Sequence, residues 1–524
     1  MDDSVTKVVI VGGGSAGWLT AGLLASELRG DARSPVDITL VESPDVATIG
    51  VGEGTWPTMR VTLQKIGISE TEFLARCTAS FKQGTQFLGW TTGADGDRYY
   101  HPFSAPAGYG ELNLAPHWLE HRDRVSFVDA VCVQGRLCDR NLAPKQRATP
   151  DYAFVANYGY HLDAGKFAQL LQEHCTQRLG VRHVLDHVTH VNAGPTGDIA
   201  SVTTAQHGDL AGDLFIDCTG LKALLLGDHF GVPFVSRADV LFNDSALAVQ
   251  VPHVAAEAPI ASQTNSTARA AGWIWDIALQ SRRGVGYTYS SAHTREDEAE
   301  RVLREHLAAC GDAGATDLEP RKITFESGHR KVFWHRNCVA VGMSAGFLEP
   351  LEASALVMIE LAGRMISEEF PANRRTMDLV AKRYNEIFTY RWDRVIEFLK
   401  LHYVLSRRQD GSFWRDNRNP DSIPDSLAEK LELWRYRAPW LSDFAHQDEI
   451  FSAASYQYVL YGMGFRTQVR QTGRHAREAA AARRLFAQNH EQADRVIKGL
   501  PGNRELLSAL CGRSGAIEKR AVEQ

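Results

Sequence analysis

Three glycines near the start of the chain have the spacing of a phosphate-binding turn. Gly12, Gly14 and Gly17 fit the pattern G-x-G-x-x-G. The first glycine permits a tight turn, the second lets the backbone approach a pyrophosphate, and the third lets a helix pack closely on a strand. The pyrophosphate would then contact the N–H groups that open the helix, at Ser15 and Ala16. The spacing predicts that these five residues bind a dinucleotide.

The residues around this turn have the character of the elements that must hold it. Lys7–Val11 is short, β-branched and uninterrupted, as in a buried parallel strand. Residues 18–25 have the composition of a helix packed on a sheet, and residues 37–41 predict a second strand. Glu42 ends that strand at the distance from the glycines where a carboxylate can accept hydrogen bonds from an adenosine ribose.

Two later segments show the same combination of a strand and a turn. Residues 212–220, which include Asp217, resemble the distal strand and glycine turn of FAD-dependent monooxygenases. Residues 337–346, which include Gly342, form another apolar run followed by small residues. Ordinary strand–turn punctuation would explain either segment taken alone. Together the three pieces favour FAD, held along its length, over NAD.

Composition excludes several other classes of function. The 524 residues carry a net charge of −6 that is spread along the chain, so we expect no nucleic-acid partner. The eight cysteines contain no Cys-x-x-Cys pair, which argues against a zinc site or a disulfide framework, and we predict no metal site. No apolar run approaches the roughly 20 residues of a membrane span. The acidic N-terminus is not that of a signal peptide, so we expect a cytoplasmic protein without a membrane partner.

Four further segments carry unusual combinations of residue types. They read G-V-G-E-G-T-W-P at 50–57, F-K-Q-G at 81–84, Y-H-P-F at 100–103 and G-F-L-E-P-L-E-A-S-A at 346–355. With the glycine turn, they resemble motifs of the tryptophan-halogenase family of flavin-dependent halogenases, from the N-terminus to about residue 415. The first segment resembles the family's flavin-contacting strap, with Gly54 in place of an alanine.

A fifth segment resembles the motif W-x-W-x-I-P, which separates halogenases from aromatic hydroxylases. Trp273, Trp275 and Ile277 match this motif, whereas Ala278 stands in place of the proline. Two tryptophans at i and i+2 fall on one face of a strand, so a pair of large core side chains is the competing interpretation.

The resemblance implies a reaction and a partner. Reduced FAD, supplied by a separate NAD(P)H-dependent flavin reductase, would react with dioxygen and a chloride or bromide ion to give hypohalous acid. Lys82 would then direct the halogen to a small aromatic substrate, either as a haloamine or through a hydrogen bond from its ammonium group. These two options need opposite protonation states, and burial favours the neutral amine. The competing interpretation is a surface lysine.

The segment at 346–355 supplies the second catalytic residue that the resemblance implies. Glu352 would polarise the halogenating species or take the proton from the ring, with Glu349 as the competing carboxylate. An acid at a helix N-terminus after Pro350 is the alternative interpretation. The backbone N–H groups of Ser354 and Ala355 would hold the halide ion. Ala353 replaces the family's serine, so a hydroxyl role at that position is lost while the backbone donors remain.

The resemblance also extends the cofactor and substrate sites. It adds Gly52, Glu53, Val188 and Leu356 to the residues that contact FAD. His101 and Phe103 are candidates for gripping an aromatic ring, although a hydrogen-bonded core histidine is an equal alternative for His101.

The C-terminal third has helical periodicity, at 384–403 and again from 475 to 497. Free-tryptophan halogenases carry an aromatic and acidic run in this part of the chain, and residues 451–460 do not match it. We therefore expect an indole, a phenol or a larger aromatic compound, free or presented by a partner, in place of free tryptophan.

These observations predict an α/β protein with an FAD-binding Rossmann-like fold of the GR2-type monooxygenase class and a largely helical substrate-binding part. The predicted FAD-binding module combines residues 1–60, 150–225 and 320–370, and the substrate-binding part combines 61–149, 226–319 and 371–524. Two other functions stay open: a flavin-dependent aromatic hydroxylase, and a flavin-binding protein without halogenation activity. The oligomeric state is also open, with a homodimer allowed.

Overall fold

The computed structural model describes residues 4–28, 36–46, 52–311, 318–446 and 448–522, with side chains described up to residue 512. Its strands, in chain order, are β1 (Lys7–Val11), β2 (Asp37–Glu42), β3 (Glu53–Gly54), β4 (Ser80–Lys82), β5 (Gly84–Leu88), β6 (Arg98–Pro102), β7 (Gly159–Leu162), β8 (Arg182–Leu185), β9 (Val188–Ala193), β10 (Ile199–Thr204), β11 (Gly208–Ala211), β12 (Leu214–Asp217), β13 (Phe234–Ser236), β14 (Ser245–Pro252), β15 (Thr264–Arg269), β16 (Gly272–Ala278), β17 (Arg282–Tyr289), β18 (Arg321–Thr324), β19 (Gly328–Arg330), β20 (Trp334–His335), β21 (Cys338–Ala340) and β22 (Gly346–Phe347).

The helices of the described residues are α1 (Ser15–Leu28), α2 (Thr58–Ile66), α3 (Glu70–Arg76), α4 (Ala115–Trp118), α5 (Phe127–Val131), α6 (Gln134–Cys138), α7 (Ala164–Gln177), α8 (Glu296–Ala309), α9 (Ser354–Glu368), α10 (Arg374–Leu405), α11 (Ser412–Asp416), α12 (Asp425–Trp434), α13 (Ala453–Gly462), α14 (Gly473–Gly499) and α15 (Asn503–Val522). Within the described parts of the chain, no helix combines the length and the apolar character that a bilayer crossing requires.

The chain divides into two compact units. Unit 1 comprises Met1–Thr78, Leu162–Arg237 and Glu326–Trp392, and unit 2 comprises Ala79–His161, Ala238–Phe325 and Asp393–Gln524. Both units are therefore discontinuous in sequence. The division into an FAD-binding module at 1–60, 150–225 and 320–370 and a substrate-binding part stays a prediction.

Unit 1 is built on a six-stranded sheet in the order β20-β21-β12-β1-β2-β8. All neighbouring pairs from β21 to β8 are parallel, and β20 is an antiparallel edge. The four apolar residues after Lys7 in β1 are buried, as a central parallel strand requires. The unit β1-α1-β2 is the predicted strand, helix and strand around the glycine turn, and the predicted α/β class is confirmed.

Unit 2 contains a seven-stranded sheet in the order β18-β14-β17-β16-β15-β5-β6. The helical periodicity predicted for the C-terminal third of the chain is confirmed, because residues 384–403 lie within α10 and residues 475–497 lie within α14. The sheet itself was predicted only at the tryptophan pair. Its other strands are short apolar or mixed runs, and periodicity does not separate such runs from buried helix or loop.

One buried carboxylate organises the turn at the end of β12. Asp217 is fully buried, and its carboxylate accepts hydrogen bonds from the backbone N–H and the hydroxyl of Thr219 and from the N–H groups of Leu225 and Leu226, at 2.7–3.0 Å. Burial raises the pKa of this carboxyl group, and the four donors act in the opposite direction. The side chain thus fixes the loop that follows β12.

Replacing Asp217 should therefore destabilise unit 1. Asp217→Ala leaves two buried backbone N–H groups and the Thr219 amide without their acceptor, and we expect a loss of about 2–4 kcal/mol in the free energy of unfolding. Urea denaturation followed by circular dichroism measures this loss. Asp217→Asn, which keeps one acceptor oxygen, should lose less, and equal stability of Asp217→Ala and wild type would contradict this role.

Candidate active site

The glycine turn fits a pyrophosphate at one position and is closely packed at the other two. A Cβ atom at Gly12 would lie 2.2 Å from the carbonyl oxygen of Cys218, and a Cβ at Gly17 would lie 1.9 Å from the carbonyl oxygen of Gly12. A Cβ at Gly14 would meet no atom of the described residues within 4 Å. Gly12 and Gly17 are thus required by the packing of strand and helix, while Gly14 leaves the open approach that a dinucleotide phosphate needs. Helix α1 begins directly after it, at Ser15.

Glu42 lies beside this turn. A Cβ at Gly13 would be 2.2 Å from the carboxyl carbon of Glu42, so the glycine makes room for that side chain. The Oε2 atom of Glu42 lies 3.0 Å from the Nε2 atom of His183, and both side chains are partly exposed. A carboxylate in this place can accept hydrogen bonds from a ribose bound along the turn. That contact stays a prediction.

The loops after β12 and β21 meet at the same edge of the sheet. The N–H of Val341 donates to the carbonyl of Asp217 at 2.9 Å, and a Cβ at Gly342, where φ is +75°, would lie 2.7 Å from the side chain of Ala16. Asp217 and Gly342 therefore lie next to the glycine turn, as their parallel strands predict. Of the other predicted FAD contacts, Val188 begins β9 and is half-buried, while Leu356 is buried in the first turn of α9.

The predicted strap is described from residue 52, and Gly50 and Val51 lie outside the described residues. Gly52 precedes the short strand β3, which begins at Glu53. Burial raises the pKa of Glu53 to about 7. The strap continues into Trp56, whose indole N–H donates to the carbonyl oxygen of Glu352 at 2.8 Å. Part of the strap thus contacts the turn that holds the second predicted catalytic residue.

Glu352 lies in a strained turn at the start of α9. Its φ is 63° and its ψ is 4°, and Ala353 follows with φ 55° and ψ 46°. Residues with a Cβ atom occupy this left-handed region at a cost of about 1–2 kcal/mol each. Glu352 is buried, at 7% exposure, and Glu349 is also buried. An exposed acid that only compensates a helix dipole would not require this geometry.

The predicted halide donors open a long helix. Ser354 is the first residue of α9 and Ala355 the second, and no side chain caps this N-terminus. Ser354 is buried and Ala355 is exposed. Their N–H groups belong to the first turn, whose N–H groups have no carbonyl partner within the helix and favour a negative charge. Halide binding there stays a prediction.

Lys82 is buried, at 1% exposure, so the alternative of a surface lysine is wrong. It ends β4, which pairs antiparallel with β7, and Gly159 lies directly opposite it. Gly159 contributes no side chain at this position of the strand pair. The Nζ atom lies 5.4 Å from the centre of the Phe103 ring, which places the amino group over an aromatic face. The structure thus brings together Lys82 and one of the two predicted substrate contacts.

Two amide side chains fix the backbone that follows Lys82. The carbonyl of Gln83 accepts from the N–H of Phe103 at 3.0 Å, and the side chain of Gln83 accepts from Gln134 Nε2 at 3.3 Å. Gln134 in turn accepts from the N–H of Ser104 at 2.7 Å. Both glutamines are fully buried. Lys82 and Phe103 are therefore held by neighbouring residues of one hydrogen-bond network.

A second group of side chains lies on the same face of the β4–β7 pair. Ser80, two residues before Lys82, donates from its hydroxyl to the carbonyl of Ala278 at 2.5 Å. His161 lies opposite Ser80, and its Nε2 atom is 2.8 Å from the hydroxyl of Thr264. Burial and then the charge of Lys82 lower the pKa of His161 well below its ordinary value, so the imidazole is neutral at neutral pH. Ala278 thus supports the strand of Lys82 at the position where the halogenase motif has proline.

The two motif tryptophans have a packing role. Trp273 and Trp275 point to one face of β16, as predicted, with ring centres 6.2 Å apart. Trp273 is 6.1 Å from Trp90, which lies among further buried aromatic rings, and Trp275 covers Gly286. The structure favours the interpretation of Trp273 as a core side chain.

His101 lies in an aromatic cluster that the sequence did not predict. Its ring centre is 5.6 Å from Phe398, 6.5 Å from Phe451 and 6.3 Å from Tyr458. Phe398 and Phe451 stack on each other at 3.8 Å. Core packing of His101 is therefore supported, and its contact with a substrate stays a prediction.

The comparisons with known proteins agree on one family. The pattern of the family "Tryptophan halogenase" matches residues 7–479. The tryptophan 6-halogenase of Streptomyces toxytricini is 35% identical, over 96% of this chain and 98% of that protein. The tryptophan 7-halogenase of Lentzea aerocolonigenes is 34% identical, over 88% of this chain and 90% of that protein.

A solved structure extends the agreement to the fold. The crystal structure of a tryptophan halogenase from Shewanella frigidimarina superposes with a TM-score of 0.95 at 52% identity, over 98% of each chain. The chain belongs to the tryptophan-halogenase family, whose members are flavin-dependent enzymes that use reduced FAD and a halide ion.

Sequence reasoning missed several residues that position the site. Trp56 received no role from the resemblance of the strap, and Glu352 is 296 residues away from it, so the pattern carries no sign of their hydrogen bond. Ser80 and His161 likewise become neighbours only through strand pairing. The position of Ser80 two residues before Lys82, on the same face of a strand, was the signal that could have identified it.

The glycine turn yields a prediction with an internal control. Gly14→Ala should fold normally, because its Cβ meets no protein atom, but it should weaken FAD binding because the methyl group lies where the phosphate approaches. Gly17→Ala should lower the melting temperature instead, since its Cβ overlaps the Gly12 carbonyl. Thermal melting and equilibrium FAD titration separate the two effects. FAD affinity equal to wild type in Gly14→Ala would contradict the assignment.

Glu360 predicts a pH-dependent stability. This buried residue of α9 accepts hydrogen bonds from Thr58 at 3.1 Å and from Thr62 at 2.5 Å, and burial raises its pKa from 4.5 to about 7. A raised pKa means that its contribution to stability is complete below pH 4.5 and is lost as the pH rises through about 7. Wild type should therefore lose stability relative to Glu360→Gln across this interval. Glu53 also has a raised pKa, but both proteins contain it, so its contribution cancels in the comparison. Urea denaturation at a series of pH values measures the difference, and parallel curves would contradict it.

Proposed function

We propose that this protein halogenates an electron-rich aromatic compound, such as an indole or a phenol, with Lys82 and Glu352 as its catalytic residues. The observation that carries the proposal is the burial of Lys82 with its amino group over the ring of Phe103. A buried lysine requires a compensating reason, because removal of a charged group from water is costly. Direction of a small, reactive oxidant is such a reason in a protein of this family.

The residues present fit the cofactor of the family. Gly12, Gly14, Ser15, Ala16, Gly17 and Glu42 would hold the adenosine diphosphate part, with Asp217 and Gly342 at the same edge of the sheet. Bound reduced FAD would supply, with dioxygen, the oxidising power that converts a halide ion into hypohalous acid. The N–H groups of Ser354 and Ala355 would retain the halide ion near the turn.

The protein side chains then direct the halogen. In the hydrogen-bonded form of the mechanism, the Lys82 ammonium donates to the oxygen of hypohalous acid and makes the halogen more electrophilic. The aromatic carbon attacks the halogen, the halogen–oxygen bond breaks, and the oxygen leaves as water with a proton from Lys82. Glu352 takes the proton that the ring carbon loses. The proximity of Phe103 favours the charged lysine of this form, and the haloamine form remains the alternative.

The proposed substrate differs from the tryptophan of the family name. The relatives named above are tryptophan halogenases. In this chain, residues 453–462 form the buried helix α13, and Phe451 before it packs on Phe398. We retain the prediction of an indole, a phenol or a larger aromatic compound over free tryptophan, with a separate NAD(P)H-dependent flavin reductase as partner and a cytoplasmic location.

The test is bromination by the purified protein with FAD, a flavin reductase, NADH and bromide, on indole, phenol and free tryptophan. Wild type should give product with the bromine isotope pattern. Lys82→Met should lose about 10²-fold or more of the rate, because an unbranched side chain of similar length lacks the amine. Glu352→Gln should show a comparable loss. Product formation is followed by mass spectrometry.

Lys400 provides a matched control. It is also fully buried, with its Nζ atom 4.6 Å from the centre of the Phe242 ring, but it donates to the carbonyl of Val240 and to Asn417. Lys400→Met should melt at a lower temperature and retain its rate per folded molecule. Undiminished bromination by Lys82→Met would overturn the mechanism, and hydroxylated product alone would favour the hydroxylase. Retained FAD without product on any substrate would favour a flavin-binding protein.

A further inference from the structure

The peptide between Glu352 and Ala353 is held from both sides. Its carbonyl oxygen accepts the indole N–H of Trp56 at 2.8 Å, and its N–H, which belongs to Ala353, donates to the carbonyl of Pro350 at 3.1 Å. Both residues of this peptide have positive φ angles and carry a Cβ atom, so the turn does not adopt this conformation by preference. The surroundings must impose the conformation, and Trp56 supplies one contact that comes from outside the turn.

A second contact fixes the place of Trp56. Helix α2 begins two residues after it, and Thr58 and Thr62 of that helix donate to the carboxylate of Glu360 in α9. The strap is therefore attached to the turn after Pro350, and α2, which follows the strap, is attached to α9, which follows the turn. The hydrogen bonds from Thr58 and Thr62 to Glu360 fix the start of α2, and so they keep the neighbouring indole of Trp56 against the turn.

We propose that Trp56 is a positioning residue that holds the Glu352 carboxylate and the first N–H groups of α9 in their working places. This inference rests on the proposed function, in which Glu352 takes the ring proton and Ser354 and Ala355 bind the halide ion. Without the indole donor, the peptide can rotate toward the right-handed region that residues other than glycine prefer. Rotation about this peptide moves the carboxylate on one side and the helix N-terminus on the other.

Two properties of the reaction should change together in Trp56→Phe. We expect kcat for bromination to fall about tenfold to hundredfold, because a misplacement of about 1 Å has effects of that size. The KM for bromide should rise, since the N–H groups that receive it shift, and the KM for the aromatic substrate should stay at the wild-type value. A purely structural role would lower the folded fraction and leave both KM values unchanged.

A control and a second variant protect this test from a folding defect. Trp334→Phe removes a comparable indole bond in the same unit, from Trp334 to the carbonyl of Arg336 at 3.1 Å, and should leave kcat and the bromide KM unchanged. If Trp56→Phe does not fold, benzothienylalanine at position 56 keeps the size of the ring system and replaces the N–H by sulfur. It should show the same rise in bromide KM. Wild-type kcat and bromide KM in the folded variant would overturn the inference.

A double-mutant cycle tests whether Trp56 acts through Glu352. In a Glu352→Gln background, Trp56→Phe should cause little further loss of kcat, because the group that it positions is already gone. Multiplicative losses would overturn the inference. If wild type gives no brominated product, the proposed function fails, and the positioning is read from crystal structures of wild type and Trp56→Phe. A Glu352 φ near 63° in both would then contradict it.

Discussion

A buried amine has to be stabilised without water, and much of the environment of Lys82 follows from that constraint. The Nζ atom lies over the aromatic face of Phe103, and the residue opposite Lys82 in the strand pair is Gly159, which has no side chain. His161 is neutral where a charged imidazole would repel the lysine. The backbone on either side is fixed by buried hydrogen bonds, from Ser80 to Ala278 and through Gln83. In the proposed mechanism, these features would hold at one place the side chain that directs the halogen.

In unit 1 the shape of the candidate sites depends on the conformation of the backbone. Close packing of Gly17 on Gly12 places the start of α1 at the carboxyl end of β1, and the open position at Gly14 leaves the approach to it. The turn at Glu352 is likewise a matter of backbone conformation, since its two left-handed residues direct a carboxylate and a helix N-terminus. Under the proposed function, unit 1 would therefore combine an anion-binding turn for the cofactor with a second one for a halide ion, both at helix starts.

The sequence was most informative where function depends on local pattern. The glycine spacing, the strand before it and Glu42 predicted β1-α1-β2 because all of these lie within a short stretch of chain. Lys82 and Glu352 were found through motifs, and their burial could not be read from residue type. The pairing of β4 with β7, the seven-stranded sheet and the bond from Trp56 to Glu352 join residues that are far apart in the chain, which periodicity and local composition do not encode. Ala278 looked like a missing proline, and only the structure placed its carbonyl beside Ser80.

In the proposed mechanism the protein directs the halogen to the substrate instead of releasing it as free hypohalous acid. The most direct measurement is the isomer composition of brominated indole formed in the presence of a soluble scavenger of hypobromous acid. Directed transfer by Lys82 predicts one dominant isomer in a yield that the scavenger does not change. A mixture equal to that from hypobromous acid alone, lost when the scavenger is added, would contradict the account.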